Sequence, residues 1–401
     1  MTTAILFLDL EAGWGGSSRS LMNMVAALDP TLWKPVVVLR KDGPAVAHYE
    51  AAGIDFVVES DLPSFRPSER KNLISWLMYL WAARKLPGAV GRLRALARKH
   101  DCRLVHVNHE SLALAGRTVA RRLGLPWICH IRTQLIPGIF ARRLAGTIAR
   151  EAGHLVFISE PVEDHFRALL SARDAGAPGT VLYNICLPPP ASSTEPDCMA
   201  AFKDGLKVIS LSNFSPNRGV DRVVEVAAVL KRRGIGDIRF FLFGRPAHRH
   251  PVTGKPAPYY QSIVDAISEN GLEGTVMLPG HLANPEGALA HGDALVKLTR
   301  QQNPWGRDIM EGIAAGIPVI TLGHFDRFVE MGRNGYLAAD YSAEDIADFL
   351  IRLRAEPDLR EAFKRRNREK AEMLFGPERM AAGIGEVYAA LLDRPGRAGP
   401  R

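Results

Sequence analysis

The chain has 401 residues, 47% of them hydrophobic and 23% charged, and a formal net charge of +8 at pH 7. A chain of this length exceeds what one hydrophobic core usually organises, and its composition is that of an ordinary soluble globular protein, so we expect two folded domains. The four cysteines form no Cys-x-x-Cys pair and no zinc-binding spacing, which predicts reduced thiols in the cytosol.

The positive charge is concentrated in the N-terminal half of the chain. Residues 1–190 carry 23 Lys and Arg against 16 Asp and Glu. Such a surplus suggests an anionic partner: phospholipid, a phosphate-bearing acceptor or nucleic acid. We expect no secretory signal, because the first apolar run leads into Asp9 and Glu11 without a basic segment before it. The longest uncharged apolar stretch, Asn72–Ala83, is too short to cross a bilayer.

The first half of the chain predicts a series of βα units. Ala4–Leu8 has the pattern of a buried strand, and a loop with Gly15 and Gly16 leads from it to a helix capped by Ser17 or Ser18. Adjacent glycines let backbone amides approach a ligand closely, but this signal is weak alone. Further runs of strand length are Pro35–Leu39, Ile54–Val58, Arg103–Val107, Trp127–Ile131 and His154–Ile158. Their alternation with helical patterns predicts an α/β fold with a parallel sheet covered on both faces.

Residues 66–100 combine nine basic residues with a single acid, Glu69, and with the aromatic residues Trp76, Tyr79 and Trp81. A basic amphipathic stretch with aromatics has the composition of a helix at a membrane interface. The alternative is a soluble helix whose aromatics pack inward while its charges face water. Both interpretations stay open from the sequence, and an anionic membrane surface is one predicted partner.

Two predicted strands carry histidines near their carboxyl ends, His106 and His130. Ligand sites in open α/β sheets form beyond such ends, so both histidines are candidates for a ligand site. The alternative is a histidine satisfied within the core, which the sequence favours for His106 more than for His130. Arg132, Ser159 and Asn184 fall near the same edge and are weaker candidates.

A Pro- and Ser-rich segment, residues 187–204, predicts a linker to the second domain. That domain starts with the strand Leu206–Leu211, whose exit loop contains Asn213 and Arg218, and a later loop contains Arg245. Its other predicted elements include the strands Ile238–Phe243, Val276–Leu278 and Ala294–Leu298 and the helix Tyr259–Glu269, and a final helix covers roughly Pro377–Leu392.

Residues 303–320, NPWGRDIMEGIAAGIPVI, predict a loop, one helix and a buried strand. Gly306 breaks the chain just before an apolar pattern of helical spacing, and Gly316 and Pro318 end that pattern. The first amides of such a helix are unpaired and carry the positive end of the helix dipole, which suits a phosphate or a sugar oxygen. Glu311, a turn and a half inside, can accept hydrogen bonds from vicinal hydroxyls.

This segment resembles the donor-binding motif of the retaining family-4 glycosyltransferases of GT-B fold. The family motif has a Glu, an aromatic-Gly pair, a second Glu and a small-residue helix ending in Gly-x-Pro-Val. Trp305-Gly306, Glu311 and Gly316–Val319 match this order. Asn303 stands where the first Glu is usual. The resemblance implies that Glu311 holds the ribose of a nucleotide and that position 303 contacts the donor sugar.

Two positions in the first half of the chain match the same family. Gly15 and Gly16 correspond to its glycine-rich first loop. His130 corresponds to a histidine that faces the transferred sugar. By this resemblance His130, Arg218 and Glu311 are the predicted catalytic residues.

In the second domain, the family binds the diphosphate with an Arg and a Lys-Gly in the first exit loop. Arg218 and the glycine after it fit the Lys-Gly position, but Asn213 stands where the Arg is usual. Arg245 is the candidate that compensates. The amides around Gly306 and Arg307 complete the predicted donor site, and the Arg307 side chain is placed either to contact the donor or to hold its loop.

The resemblance implies a GT-B architecture, in which two Rossmann-like doubly wound α/β domains face a central cleft. The predicted boundaries are an acceptor-binding domain at 1–186 completed by the C-terminal helix 377–393, a linker at 187–204, a nucleotide-sugar-binding domain at 205–376, and a tail at 394–401.

The implied reaction moves a sugar, with retention at the anomeric carbon, from a UDP- or GDP-linked donor to an acceptor hydroxyl. The acceptor would be a sugar, a lipid-linked sugar or a small molecule, in polysaccharide, glycolipid or glycoside synthesis. No Asp-x-Asp motif occurs, and the histidines at 248 and 250 have no acidic or Cys partner nearby, so we expect neither a metal site nor a cofactor. Cations and helix amides are then expected to stabilise the departing diphosphate.

Two other functions stay open. A non-catalytic GT-B relative that binds or scaffolds a partner is motivated by Asn303 and Asn213. A nucleic-acid-binding protein is permitted by the charge, but no recognition motif supports it. The predicted location is the cytosol, with peripheral association at the inner membrane face as a further expectation.

Overall fold

Two parallel sheets, each flanked by helices, make up this protein. The computed structural model describes residues 2–10, 16–66, 72–246 and 258–393. The chain divides into two units: Met1–Ile185 together with the chain from Pro377 onward, and Cys186–Gly376.

The first unit contains a sheet of seven strands. They are β1 (Thr3–Asp9), β2 (Trp33–Leu39), β3 (Asp55–Val58), β4 (Cys102–Val107), β5 (Trp127–Ile131), β6 (His154–Phe157) and β7 (Gly179–Val181). They lie in the order β3-β2-β1-β4-β5-β6-β7, and neighbouring strands pair in parallel. The strand order reverses between β1 and β4, which is the switch point where open α/β sheets bind ligands.

Helices cover both faces of this sheet. They are α1 (Gly16–Ala27), α2 (Ala45–Ala51), α3 (Asn72–Ala83), α4 (Leu86–Lys99), α5 (Ala113–Leu123), α6 (Ile139–Glu151) and α7 (Glu160–Ala168). The central strand β1 buries Ile5 and Phe7, and also Leu6 and Leu8 on its other face, without exposure. This two-sided burial explains why the strands appear in the sequence as unbroken apolar runs.

The second unit repeats the arrangement with six strands. They are β8 (Leu206–Ser210), β9 (Ile238–Phe243), β10 (Val276–Gly280), β11 (Ala294–Lys297), β12 (Val319–Leu322) and β13 (Gly335–Ala338). Their order is β10-β9-β8-β11-β12-β13, again parallel throughout. Here the order reverses between β8 and β11, so these two strands define the switch point of the second sheet.

The helices of the second unit are α8 (Asp197–Ala200), α9 (Val220–Arg232), α10 (Pro258–Glu269), α11 (Glu286–His291), α12 (Arg307–Ala315), α13 (Ala343–Ala355) and α14 (Pro357–Phe375). The segment 187–204, predicted as a linker without regular structure, contains α8. Met199 of α8 is fully buried, and the Lys207 ammonium binds the Glu195 carboxylate at 2.6 Å. The last part of that segment therefore packs as folded structure, which the Pro and Ser content of its first part concealed.

The last helix, α15 (Pro377–Leu392), belongs to the first unit. Ile384 and Tyr388 are fully buried in the core that also contains Phe7. The Tyr388 ring meets Trp33 edge-on, with ring centroids 5.3 Å apart. The two doubly wound parallel sheets confirm the predicted α/β fold class.

Candidate functional site

Two loops meet at the switch point of the second sheet, between β8 and β11. The Thr299 hydroxyl, after β11, donates to the Asn217 carbonyl oxygen at 2.8 Å, and the amide of Arg300 donates to the same oxygen at 3.0 Å. The Arg300 guanidinium also pairs with Asp221 in the first turn of α9. The loops after β8 and β11 are therefore held together at the edge where an α/β sheet binds its ligand.

The loop after β8 places Arg218 at this edge. It ends in a 3₁₀ turn, Pro216–Arg218, followed by Gly219 with φ 65°. A Cβ at Gly219 would lie 2.0 Å from the Leu298 carbonyl oxygen, so only glycine allows the loop to approach β11 this closely. Arg218 is partly exposed, and its guanidinium has no hydrogen-bond or carboxylate partner within the described part of the chain. Its charge is thus available to an anion.

Asn213 and Arg245 come together at the neighbouring loops. The Asn213 Oδ1 atom accepts a hydrogen bond from the Arg245 amide at 3.1 Å, and the Phe214 amide donates to the Arg245 carbonyl oxygen at 2.9 Å. Asn213 therefore holds the backbone of Arg245, whose side chain is exposed. A direct contact of Asn213 with a donor stays a prediction.

Helix α12 begins at the same edge. Its N-cap, Gly306, has no side chain to satisfy the first amides, and its C-cap, Gly316, has φ 86°. The amides of Ile309 and Met310 donate to the Gly306 carbonyl oxygen at 3.0 and 3.2 Å. The helix and both of its predicted ends are confirmed: the chain leaves α12 at Gly316, and β12 begins directly after Pro318.

Glu311, the predicted ribose ligand, is already in an ion pair. Its Oε1 atom accepts from Arg307 Nε at 2.8 Å, and the two side chains are only 11% and 14% exposed. Arg307 thus fixes the rotamer of Glu311 and orients its carboxylate at the start of α12. The two roles predicted for Arg307, contact with the donor and holding its loop, stay predictions.

Asn303 lies in the loop before α12 and contributes a buried side-chain oxygen there. This Oδ1 atom has no hydrogen-bond partner among the residues that the structure describes. The residue before it, Gln302, has φ 46°, which is a strained backbone for a non-glycine residue. Trp305 packs edge-on against Phe325, with ring centroids 6.0 Å apart. The loop therefore holds an unpaired acceptor in place at the position that the resemblance assigns to the donor sugar.

Lys297, the last residue of β11, is not among the residues predicted from the sequence. Its side chain is only 2% exposed, and its ammonium binds Asp308 Oδ1 at 2.6 Å. Burial lowers the pKa of Lys297, while Asp308 opposes that shift. The signal was present in the sequence, because Lys297 is the only charged residue within the otherwise apolar predicted strand Ala294–Leu298.

The first unit has a buried polar network at its own switch point. The Asp9 carboxylate, at the end of β1, accepts hydrogen bonds from Ser18 Oγ and Asn108 Nδ2, both at 2.8 Å. Burial raises the pKa of Asp9, against the effect of these bonds. The Arg132 guanidinium binds the Asn108 side chain and, at 2.9 Å, Asn184 Oδ1. This network joins β1, β4 and β5 to the start of α1.

His130 lies beneath this network, fully buried. Its ring stacks on His106 with centroids 5.7 Å apart, and its Nε2 atom has no hydrogen-bond partner in the described part of the chain. Burial lowers the pKa of both histidines, to about 3 for His106, so both are neutral at pH 7. His106 Nδ1 lies 2.7 Å from the Tyr388 hydroxyl, which agrees with the core role that the sequence favoured. For His130, a contact with the transferred sugar stays a prediction.

The glycine-rich first loop is only partly described. Gly15 lies outside the described residues. Gly16 is the first residue of α1, and its carbonyl oxygen accepts a hydrogen bond from the Ser20 hydroxyl at 2.7 Å.

The basic stretch 66–100 contains two helices with different surfaces. In α4, Leu93 is buried and Arg92 binds Glu59 at 2.7 Å. In α3, the rings of Trp76 and Tyr79 pack against the interior, whereas Trp81 is 64% exposed. Trp76 and Tyr79 thus pack inward, as the soluble alternative predicts, whereas Trp81 is exposed, as a helix at a membrane interface would have it. Within the described ranges, no helix is long and apolar enough to span a bilayer.

Two family profiles cover most of the sequence. The one described as Glycosyl transferases group 1 matches residues 196–370, and the one described as Glycosyl transferase 4-like domain matches residues 15–177. Among solved structures, Anabaena HepE in complex with UDP has a TM-score of 0.75 at 20% identity, over 98% of this chain and 100% of that one. This likeness shows the fold, GT-B.

Curated relatives match over shorter stretches. N-acetyl-alpha-D-glucosaminyl L-malate synthase of Bacillus anthracis is 24% identical over 194 residues, 47% of each chain. Poly(ribitol-phosphate) alpha-N-acetylglucosaminyltransferase of Staphylococcus aureus is 25% identical over 147 residues, 36% of this chain and 27% of that one. The chain spans less than half the length of these curated relatives. With both profiles in order along the sequence, the chain belongs to the group 1 glycosyltransferases, of the family-4 type.

Proposed function

We propose that this protein is a retaining glycosyltransferase that moves a sugar from a nucleotide diphosphate sugar to an acceptor hydroxyl. One observation carries the proposal: the loop with Arg218 after β8 and the start of α12 after β11 lie at the carboxyl ends of the two strands that define the switch point of the second sheet, with Glu311 inside α12. Their order along the chain is that of the family motif. Anabaena HepE, which shares the fold, was solved with UDP, and also with UDP-glucose.

The diphosphate is assigned to the edge formed by the loops after β8, β9 and β11. Arg218 supplies a guanidinium without a partner in the described residues, and Arg245, whose amide binds Asn213 of the loop after β8, supplies an exposed one. The amides at the start of α12 add the positive end of the helix dipole. Guanidinium groups form bidentate hydrogen bonds with phosphate oxygens and carry a positive charge. This edge therefore favours a doubly charged pyrophosphate over an uncharged ligand.

The ribose and the transferred sugar are assigned to two acceptors near α12. The Glu311 carboxylate, oriented by Arg307, accepts hydrogen bonds from the ribose hydroxyls. The unpaired Asn303 Oδ1 accepts from a hydroxyl of the donor sugar. An unsatisfied buried acceptor costs about 1–3 kcal/mol, and a donor hydroxyl that pairs with it recovers part of this cost as binding energy.

The chemical step needs no metal ion in this proposal. The bond between the anomeric carbon and the diphosphate oxygen breaks, the acceptor oxygen bonds to the same face of that carbon, and the acceptor proton moves to the departing phosphate. Arg218 and the α12 amides stabilise the negative charge that develops on the phosphate. In the described residues, no group of three or more His, Cys, Asp or Glu is placed to hold a metal.

The first test is release of free UDP or GDP during incubation with a panel of nucleotide sugars, with and without EDTA. We expect release that survives EDTA, and an NMR spectrum of the product that shows the anomeric configuration of the donor. Glu311→Ala should abolish release, whereas Glu361→Ala, at a side chain 72% exposed, should not change it. Nucleotide binding without any turnover would instead support a non-catalytic scaffold, the alternative that Asn213 and Asn303 motivate.

We also propose that the first unit receives an acceptor at an anionic membrane surface, in the cytosol. Six large apolar side chains of α3 are 45–67% exposed: Leu73, Ile74, Leu77, Met78, Leu80 and Trp81. They are six of the thirteen exposed large apolar side chains in the described residues. Their spacing of three and four residues places them on one side of the helix, and we call them the α3 ridge.

The opposite side of α3 is anchored to the fold. Trp76 and Tyr79 pack on Phe65, at centroid distances of 5.4 and 5.8 Å, and Trp76 also contacts Phe140 at 6.0 Å. Helix α3 therefore cannot turn its ridge inward without breaking this aromatic cluster. The exposed Ile139 adjoins Phe140 in the chain and extends the apolar surface towards α6.

Basic side chains flank the ridge. Arg84, directly after α3, lies over the Trp81 ring at 5.2 Å, and Arg142 and Arg143 on α6 are exposed. An apolar strip with cationic flanks and an exposed Trp is suited to the headgroup region of an anionic bilayer. Burying each half-exposed ridge side chain contributes on the order of 1 kcal/mol.

Vesicle sedimentation tests this surface. The wild type should bind phosphatidylglycerol vesicles more strongly than phosphatidylcholine vesicles, and Leu77→Glu with Trp81→Glu should abolish binding. The matched control changes two equally exposed apolar residues of the second unit, Leu187→Glu with Met373→Glu, and should bind as the wild type does. A ridge variant that keeps its lipid binding but turns a dimer into a monomer would assign the ridge to a second copy of the chain instead.

A further inference from the structure

Lys297 places a buried cation directly beneath the start of α12. Strand β11 ends at this residue, and its ammonium lies 2.6 Å from Asp308 Oδ1 in the first turn of the helix. The same carboxylate oxygen accepts a hydrogen bond from the Ile309 amide at 3.1 Å. One oxygen thus ties the end of a strand to the first turn of the helix that follows the loop.

The ammonium also explains the glycine at 306. A Cβ on Gly306 would lie 2.0 Å from Lys297 Nζ and 2.6 Å from Asp308 Oδ1. Gly306 has φ −65° and ψ 155°, which any residue adopts readily, so backbone conformation does not require glycine here. The requirement is steric, because the Lys297 ammonium occupies the space that a side chain would need.

The charges around this turn depend on Lys297. Asp308 places a carboxylate at the end of α12 where the proposed diphosphate binds, and a carboxylate there repels an anion. Lys297 cancels that charge at 2.6 Å. The positive charge of Arg218 also lowers the pKa of Lys297. With the pair neutral, the positive charge of Arg218 and of the helix end faces the ligand uncompensated.

We propose that Lys297 is a positioning residue of the donor site, which pairs with Asp308 and neutralises that carboxylate so that the diphosphate meets a net positive surface. It acts through Asp308 rather than by touching the ligand, because its side chain is almost fully buried. This inference rests on the proposed function and adds to it a buried cation, in a strand where the sequence would otherwise predict an apolar side chain.

The test compares binding of UDP with binding of uridine, which lacks the phosphates, by calorimetry. Lys297→Met keeps the apolar stem and removes the charge, so Asp308 then faces the ligand unneutralised. We expect it to weaken UDP binding tenfold or more and uridine binding less than threefold. The double variant Lys297→Met with Asp308→Asn carries no unpaired charge, and it should bind UDP within threefold of the wild type.

Each outcome is decisive. Unchanged UDP affinity in Lys297→Met, equal weakening of UDP and uridine, or a double variant as weak as the single one would each overturn the inference. If Lys297→Met does not fold, the double variant decides by the same threefold limit. If the wild type binds neither UDP nor GDP, the proposed function is overturned and this inference with it. If the wild type binds UDP and both variants bind it with the same affinity, only the inference is overturned.

Discussion

Gly306→Ala is the substitution whose effect follows most directly from the geometry. The new Cβ would lie 2.0 Å from Lys297 Nζ, so the buried ammonium must move by more than 1 Å. Overpacking of this kind costs about 1–3 kcal/mol. Stretching the ion pair from 2.6 Å to about 4 Å costs about 2 kcal/mol at an effective dielectric constant of about 20. We therefore expect the second unit to lose about 3–5 kcal/mol of unfolding free energy.

This loss is measured by urea unfolding in which hydrogen exchange is monitored in peptides from β11 and α12. These peptides report on the second unit without a contribution from the first. The control is Gly274→Ala in the same unit, where a Cβ would meet no atom within 4 Å. It should change the unfolding free energy by less than about 0.5 kcal/mol.

The double-mutant cycle identifies the cause. In a Lys297→Ala background the ammonium is gone, so the additional cost of Gly306→Ala should fall below about 1 kcal/mol. If Gly306→Ala is as stable as the wild type, or costs the same in both backgrounds, the steric explanation is refuted.

Three further predictions follow from buried polar groups. Asn303→Ala removes a buried acceptor that has no partner in the described residues, so it should increase the unfolding free energy by about 1 kcal/mol and raise the melting temperature slightly. The same variant should discriminate less among donor sugars. A lower melting temperature would show that Asn303 has a structural partner. Asn367→Ala removes hydrogen bonds to Ile317 and Asn334 at 2.8–3.0 Å, and it should cost about 2–4 kcal/mol in thermal unfolding, far more than the exposed Glu361→Ala. His106 has a pKa of about 3 in the folded chain against 6.5 as its ordinary value, so its contribution to stability is complete above pH about 6.5 and is lost as pH falls towards 3, by up to about 1.4 kcal/mol per pH unit. His106→Asn should flatten that slope in acid titrations of unfolding, and an equal slope in both proteins would contradict the assignment.

Local signals were sufficient for α12. Gly316 adopts the left-handed C-cap conformation, and Pro318 cannot continue a helix. The end of the helix is therefore determined by a few adjacent residues. The βα alternation was equally readable, because helices bury both faces of each strand and leave apolar runs. Together these features determined the fold class, and the resemblance of residues 303–320 pointed to the family.

Contacts between distant segments were not readable in the same way. The composition of 66–100 showed aromatics among charges, but Phe65 and Phe140 decide that Trp76 and Tyr79 turn inward while Trp81 stays exposed. The Pro and Ser content of 187–204 predicted a linker, although burial of Met199 orders its last part.

The proposed donor site shows the same division between neighbouring and distant residues. Glu311 and its helical position follow from the sequence alone, because i and i+4 neighbours such as Arg307 share one side of a helix. The pairing of Lys297 with Asp308, and with it the need for glycine at 306, exists only once β11 and α12 are packed together. A buried charge is stabilised by whichever opposite charge the fold brings within contact distance, and that distance is a property of the tertiary structure.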